Sequence, residues 1–337
     1  MVNDTPKVSI CCAYFNRSSH LRDTLDSLLA QDYPSFEVVL VNDGSTDPEV
    51  ESILNSYSDP RLRVIHQANT GFVGAIRRAV SESRGRYIAI QGAGDVSYPS
   101  RIRMQAKVLD NDLEVGIVSC RQQTIIVGGA FDGKRSLSRL VSIKPTIDEL
   151  AGKHSPIIHG EVLFRKDLYD KVGGYRSFFT FSQDRDMFLR MAQFCKIEVL
   201  DTILYQRNHF FVDGVNSNGE KWIQQRALTL FAIQCHHNRV KYGYDLLEQY
   251  GHMGFLFRER SKTLANAAAE KALECMVREN INGARLSARV GIDEAKTFKT
   301  VTSFLLVTAG IKVPLIARLL RSANLLRHKL LQPRKVV

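Results

Sequence analysis

Hydrophobic positions in the first two hundred residues fall into short unbroken runs separated by stretches of helical period. Val8 to Tyr14, Val38 to Val41, Leu62 to His66, Tyr87 to Gln91 and Val115 to Cys120 are such runs, rich in the β-branched residues of strands. Leu21, Leu25, Leu28 and Leu29, and then Val50, Ile53, Leu54 and Tyr57, recur instead at the spacing of one helix face. Strands and helices alternating at this interval predict a layered α/β fold with a mostly parallel sheet. Further along, Glu161 to Arg165 reads as a strand, Lys166 to Val172 as a short helix stopped by Gly173-Gly174, and Met187 to Phe194 as a helix. Ile197 to Leu200 and Ile203 to Tyr205 read as the last strands, while residues 121–158 carry no clear period. From about residue 216 the pattern is purely helical, interrupted by Gly310 and Pro314. This divides the chain into an α/β domain over 1–216 and a helical region over 217–337.

The stretch from Phe36 to Asp47 organises the rest. Its apolar run stops on Asn42-Asp43-Gly44-Ser45, and Asp47 stands where an N-cap is needed for the helix containing Val50. In an open α/β sheet, ligands bind in the crevice beyond the carboxyl ends of the strands, so a carboxylate at this tip is placed to meet one. Asp43 is therefore a candidate ligand contact. A turn aspartate bonded to its own backbone accounts for the same pattern.

Charge and cysteine usage narrow the classes. Net charge is +11, yet nine of the 46 basic residues and none of the 35 acidic ones lie between Ala295 and Val337, so the remainder is near neutral. No nucleic-acid reading motif accompanies this basic tail, and no nucleic-acid partner is expected. Leu315, Ile316, Leu319 and Leu320 alternate with Arg318 and Arg321, and Leu325, Leu326, Leu330 and Leu331 with Arg327 and Lys329. That pattern suits an anionic membrane surface, or packing on the protein itself. Six cysteines without C-x-x-C or metal-finger spacing point to a reduced interior and cytoplasmic residence, peripheral on the membrane if the tail binds lipid. The first apolar run is too short for a signal peptide, and Phe304 to Ala317 contains Lys312 and Pro314 and cannot span a bilayer.

A set of motifs, taken in order, carries a resemblance. Val8-Ser-Ile with Asn16, Asn42-Asp-Gly-Ser-Thr-Asp47, Asn69-x-Gly71, Arg86-Tyr-Ile with Asp95, Pro99-x-Arg101, Gly173-Gly-Tyr175, Gln183-Asp184-x-Asp186-x-x-x-Arg190 and Leu204-Tyr-x-Arg-x-His209 resemble family 2 glycosyltransferases of the GT-A nucleotide-diphospho-sugar fold. The resemblance covers roughly residues 6–210. It implies that Ala13, Tyr14, Phe15, Asn16 and Asp43 hold the base and ribose of a nucleotide-diphospho-sugar, through an aromatic face and a carboxylate acceptor. It implies that Gly44, Ser45, Asn69, Arg77, Gly94 and Asp95 line the rest of the donor site. Asp184 falls where relatives have the general base that takes the proton of the acceptor hydroxyl, which then attacks the anomeric carbon opposite the leaving diphosphate. The plainer role for Asp184 is a helix cap. Asp186 falls to structure or to acceptor binding, and His209 to the diphosphate or a metal. His159-Gly160 receives no role.

One motif departs from the family. Relatives carry Asp-x-Asp-Asp where this chain has Gly92-Ala93-Gly94-Asp95, and glycine offers no side-chain oxygen to a hard cation such as Mn²⁺ or Mg²⁺. Three outcomes are open: Asp95 takes over the metal with His209, Arg or Lys neutralises the diphosphate instead, or the site does not turn over. The resulting expectation is an inverting, hexosyltransferase-like enzyme acting on a glycan or lipid-linked hydroxyl acceptor in polysaccharide or glycolipid synthesis. Its alternative is a non-catalytic nucleotide-sugar or acceptor-binding protein on the same fold.

Overall fold

The computed structural model describes residues 6–210, 219–313 and 315. The boundary expected at 216/217 lies outside the described residues, and so does the part of the basic tail after Val313 apart from Leu315. Among the described residues the chain forms two compact units, residues 6–210 with 235–245, and residues 219–234 with 246–315.

The strands of the first unit are β1 (Val8–Tyr14), β2 (Phe36–Asp43), β3 (Leu62–Gln67), β4 (Tyr87–Gln91), β5 (Val96–Ser97), β6 (Val115–Val127), β7 (Arg135–Leu137), β8 (Leu163–Arg165) and β9 (Lys196–Phe210). The helices between them are α1 (Ser18–Leu29), α2 (Pro48–Asn55), α3 (Gly71–Ser81), α4 (Arg101–Asn111), α5 (Ile147–Ala151), α6 (Lys166–Lys171) and α7 (Gln183–Met191). Strand order is β3-β2-β1-β4-β8-β6-β9-β5, with β7 added to β6. β1 pairs in parallel with β2 and β4, β2 with β3, and β6 with β9; β8 runs antiparallel to β4 and β6, as does β5 to β9. The sheet is therefore mixed, with its parallel half at the amino-terminal strands.

Every residue of β1 and β2 is buried, as strands covered on both faces require. On one face Cys12, Tyr14 and Leu40 pack with Leu21 and Leu25 of α1 and with Val50, Ile53 and Leu54 of α2. Val8, Ile10, Val38 and Ala89 continue that layer against Ile102, Ala106 and Leu109 of α4, while α3 lies along β1 and β2. α2 opens on Asp47, whose carboxylate accepts from the Glu49 N–H at 3.0 Å, with Pro48 in the first helical position. The chain advances from β1 through β2 to β3, then returns to lay β4 on the other side of β1. The crevice beyond the carboxyl ends of β1 and β4 is thus the switch point of the sheet.

α7 buries Met187, Phe188, Leu189 and Met191, and charge anchors its first turn. Asp186 in its first turn is 2 % exposed and accepts from Arg176 Nε at 3.0 Å and from Arg190 Nη2 at 2.7 Å. Arg176 also reaches the buried Asp245 at 2.7 Å, and Arg239 pairs with that same carboxylate. This corrects the acceptor-binding expectation for Asp186: its charge is desolvated and spent on two arginines, so it faces no acceptor. α7 also begins at Gln183, four residues before the apolar signal at Met187, because its first turn is held by ion pairs.

In the second unit, α8 (Gly219–Tyr242) contributes residues 219–234, followed by α9 (Leu246–Tyr250), α10 (Lys262–Val277), α11 (Ile281–Glu294) and α12 (Phe298–Lys312). Ala272, Cys275, Met276, Ala284, Ala288 and Val307 form its core. Gly310 is buried inside α12 and does not interrupt it, contrary to expectation. No helix among the described residues is long and apolar enough to cross a membrane.

Replacing Asp186 by Ala should cost about 3–5 kcal/mol in urea denaturation, because the buried Arg190 and the half-buried Arg176 lose their shared counter-charge. A loss below about 1 kcal/mol would mark the cluster as a solvated surface network instead.

Candidate active site

At the tip of β2, Asp43 is 3 % exposed. Its Oδ1 accepts from the Thr70 N–H at 2.9 Å, from Gln67 Nε2 at 2.7 Å and from Thr70 Oγ1 at 3.1 Å, and its backbone carbonyl accepts from Asn69 Nδ2 at 2.9 Å. These donors come from the end of β3 and the entry to α3, so Asp43 is not a self-bonded turn residue. No hydrogen bond to its Oδ2 occurs among the described residues. Gly44 sits at φ +68°, where a Cβ would lie 2.7 Å from the Asn69 nitrogen, which lets the two loops close on each other.

The tip of β1 divides the residues expected there. Asn16, at φ 55°, accepts through its side-chain oxygen from the N–H groups of Thr46 and Asp47 at 2.9 and 3.2 Å, and its own N–H donates to Ser45 Oγ at 2.8 Å. Asn16 and Ser45 thus tie the loops after β1 and β2 together. Ala13 is buried, and Tyr14 lies wholly inside the layer under α1 with its hydroxyl donating to the Arg17 carbonyl at 2.9 Å. Tyr14 therefore offers no stacking face to a base: strand alternation turns it inward. Phe15 is 45 % exposed and is the aromatic at this edge. Asn69 and Arg77 are exposed, and Arg77 lines a cavity of about 560 Å³ that also takes in Gln67 and Thr70, both bonded to Asp43.

At the tip of β4 the geometry departs from expectation. Asp95 is turned into the protein: Oδ2 accepts from the Tyr205 hydroxyl at 2.6 Å and Oδ1 from the Asn208 N–H at 2.7 Å. Burial raises its carboxyl above the usual range, against the pull of those two bonds and of Arg207 and Arg17 toward the charged form. That carboxylate fills the room a side chain at Gly92 would need, since a Cβ there would lie 2.3 Å from Oδ2. Gly94, at φ +86°, is closed off by Phe210, whose Cζ would be 2.8 Å from a Cβ. His209 is half-buried, and burial with the neighbouring Arg207 charge lowers its imidazole below the usual range. Among the described residues no group of three or more His, Cys, Asp or Glu is placed to hold a metal. Asp95 has both oxygens bonded within the protein, so as placed it offers no unbonded oxygen to a divalent cation beside His209.

Asp184 occupies the first turn of α7, half-buried, behind Ser182 in the left-handed region at φ 57°. Ser182, not Asp184, holds the N-cap position. The Asp184 charge is felt by both His159 and Tyr175, and His159 Nε2 meets the Tyr175 hydroxyl at 2.6 Å. Burial keeps the His159 imidazole below the usual range, with Asp184 opposing. His159 also stands edge-on to Phe72 at 5.4 Å, at the start of α3 beside the Asp43 donors. The next residue, Gly160, abuts Tyr205: a Cβ there would lie 2.5 Å from the hydroxyl that bonds Asp95. His159-Gly160 therefore links the surroundings of Asp43, Asp95 and Asp184. Nothing local in the sequence announced this, because its partners come from four distant segments.

Residues 9–173 match the family model described as glycosyl transferase family 2. The match covers just under half of the chain, and over it the chain resembles that family. An uncharacterized glycosyltransferase of Rickettsia felis is 30% identical over 210 residues, covering 59% of this chain and 33% of that protein. The uncharacterized glycosyltransferase YibD of Escherichia coli is 35% identical over 118 residues, covering 34% of each chain. The chain thus spans about a third of the length of these curated relatives. Among solved structures, S. aureus TarS covers 94% of this chain and 55% of its own at a TM-score of 0.55 and 18% identity, and TarS 1-349 in complex with UDP gives 0.52 at 14%, covering 91% of each. The mannosyltransferase PcManGT from Pyrobaculum calidifontis, in complex with GDP-Man and Mn²⁺, gives 0.50 at 18%, covering 94% of this chain and 83% of its own. These likenesses establish the GT-A fold.

Glu161 adds a titrating group to the glycosyltransferase domain. It is 3 % exposed; Oε1 accepts from Ser119 Oγ at 2.8 Å and from the Ile158 N–H at 3.1 Å, and Oε2 is buried with no partner among the described residues. Burial pushes its carboxyl up to about 7. The folded chain therefore keeps this proton over a range where the unfolded chain, at about 4.3, has released it. Stability from this group is full below about pH 4.3 and falls by up to about 1.4 kcal/mol per pH unit as pH rises toward the folded value. Glu161→Gln should remove that decline from urea-denaturation curves compared with wild type between about pH 5 and 7. An identical pH slope in both proteins would contradict the assignment.

Proposed function

We propose that the chain transfers a sugar from a nucleotide-diphospho-sugar to a hydroxyl acceptor with inversion at the anomeric carbon. The observation that carries this reading is the grouping of Asp43, the β4 tip and Asp184 around His159-Gly160 at the switch point of a GT-A sheet. Asp43 and the exposed Phe15 take the base and ribose, the loop after β4 faces the diphosphate, and Asp184 is the base. In the transfer, Asp184 accepts the proton of the acceptor hydroxyl while that oxygen bonds to the anomeric carbon. The bond from that carbon to the diphosphate oxygen breaks, and the nucleoside diphosphate leaves with its electron pair.

Structural neighbours named as complexes with UDP, UDP-GlcNAc and GDP-Man make uridine and guanosine donors the first to test. A glycan or lipid-linked acceptor, and a place at an anionic membrane surface, belong to the same proposal; both are motivated by the basic, leucine-rich sequence after Lys312.

A thermal-shift screen over UDP-, GDP- and TDP-sugars identifies the donor, and release of its nucleoside diphosphate is then followed with a panel of glycoside acceptors. Asp184→Asn should bind that donor as wild type does and transfer about 10²–10⁴-fold more slowly. Near-normal turnover in this variant would remove Asp184 from the chemistry. Donor binding by wild type without any transfer would favour a binding-only protein.

A further inference from the structure

α12 carries apolar side chains on the side away from its unit's core, where an ordinary helix of a globular unit shows polar ones. The row it buries completely is Thr300, Ser303, Val307 and Gly310, with one large apolar side chain among the four. Ser303 Oγ donates to the Ala269 carbonyl of α10 at 2.9 Å, and Phe304 and Ile311 pack partly against the core beside Val307. The outer row is Phe298, Val301 and Leu305, which fall at i, i+3 and i+7 and so share one face. Phe298 is 89 % exposed and Leu305 61 %, and Val313 and Leu315, just past the helix, are exposed as well. Apolar side chains in one line on the outside of a helix mark a contact with something apolar.

We infer that this outer row of α12 is the surface through which the helical unit meets an anionic lipid bilayer. The inference rests on the membrane part of the proposed function and adds the surface that touches the lipid. Lys296 and Lys312 flank the row and are exposed, while Lys299 pairs with Glu270. From Ala295 to Val337 nine basic residues occur and no acidic one. Such a line of apolar side chains with ammonium groups at its ends suits the boundary between acyl chains and anionic headgroups. The lysine stems lie along the apolar layer there, and their charges stay among the headgroups. A second copy of the chain is a poorer occupant, because isologous pairing would set these lysines against their own copies. The row also falls short in area: its largest side chain offers roughly 150–250 Å², against roughly 800 Å² per partner in a stable pair.

The test is co-sedimentation of the full chain with vesicles of phosphatidylcholine alone and of phosphatidylcholine mixed with phosphatidylglycerol. Wild type should bind the mixed vesicles about tenfold or more tightly than the neutral ones. Phe298→Ser combined with Leu305→Ser should weaken binding to the mixed vesicles about tenfold or more, in a protein that melts as wild type does. Phe298→Trp should keep wild-type binding, and brominated acyl chains should quench its fluorescence beyond that of wild type, whose single tryptophan is Trp222. No binding of wild type to the mixed vesicles, or equal binding to both kinds, would overturn the inference and the membrane part of the proposed function, and leave sugar transfer untouched. Unchanged binding in the folded double variant, or no added quenching in bound Phe298→Trp, would overturn the inference alone and leave the membrane to the sequence after Lys312. A wild type that is dimeric by light scattering and made monomeric by the double substitution would assign the row to a second copy and overturn the inference as well.

Discussion

Three chain segments meet on the hydroxyl of Tyr205. It accepts from the Gly92 N–H at 3.0 Å, donates to Asp95 at 2.6 Å, and leaves no room for a side chain at Gly160. The ring is held in turn by Arg101, whose guanidinium lies 4.9 Å from its centroid and donates to the Ile90 carbonyl and Ser97 Oγ, each at 2.8 Å. Tyr205, Asp95, Arg101, Ile90 and Ser97 are all buried, so the bonds among them are made in a medium where an unmade one is costly. The loop after β4 and the turn before β8 consequently have one arrangement, and the crevice between β1 and β4 inherits its shape from it.

That arrangement decides the chemistry at the rim. With Asp95 committed inward and Gly92 and Gly94 packed against Asp95 and Phe210, the β4 tip presents backbone where a carboxylate pair would stand. Asp184 is separate from this substitution: it sits on α7, which the Asp186 cluster fixes, and is coupled to His159 and Tyr175.

The parallel half of the sheet was legible because strands buried on both faces leave unbroken apolar runs, and Asp47 was legible because a cap acts within two residues. What was hidden depended on distant partners. Tyr14 and Phe15 are adjacent aromatics, and what separates them is that Tyr14 is the last residue of β1, paired with Asn42 of β2, while Phe15 lies beyond the strand. Asp184 and Asp186 are two residues apart, and Arg176 in a preceding loop separates their fates. Asp95 meets its partner across 110 residues of chain, so its inward turn leaves no local trace. β7 has three residues and β5 two, too few to show a period.

The most direct measurement is a crystal structure of the chain grown with a nucleoside diphosphate and MnCl₂ together. The account predicts the base beside Phe15 and Asp43, the diphosphate at the loop after β4, and Asp95 still bonded to Tyr205. A nucleotide bound away from this crevice, or an Asp95 carboxylate swung out to a manganese ion bridging the phosphates, would contradict it.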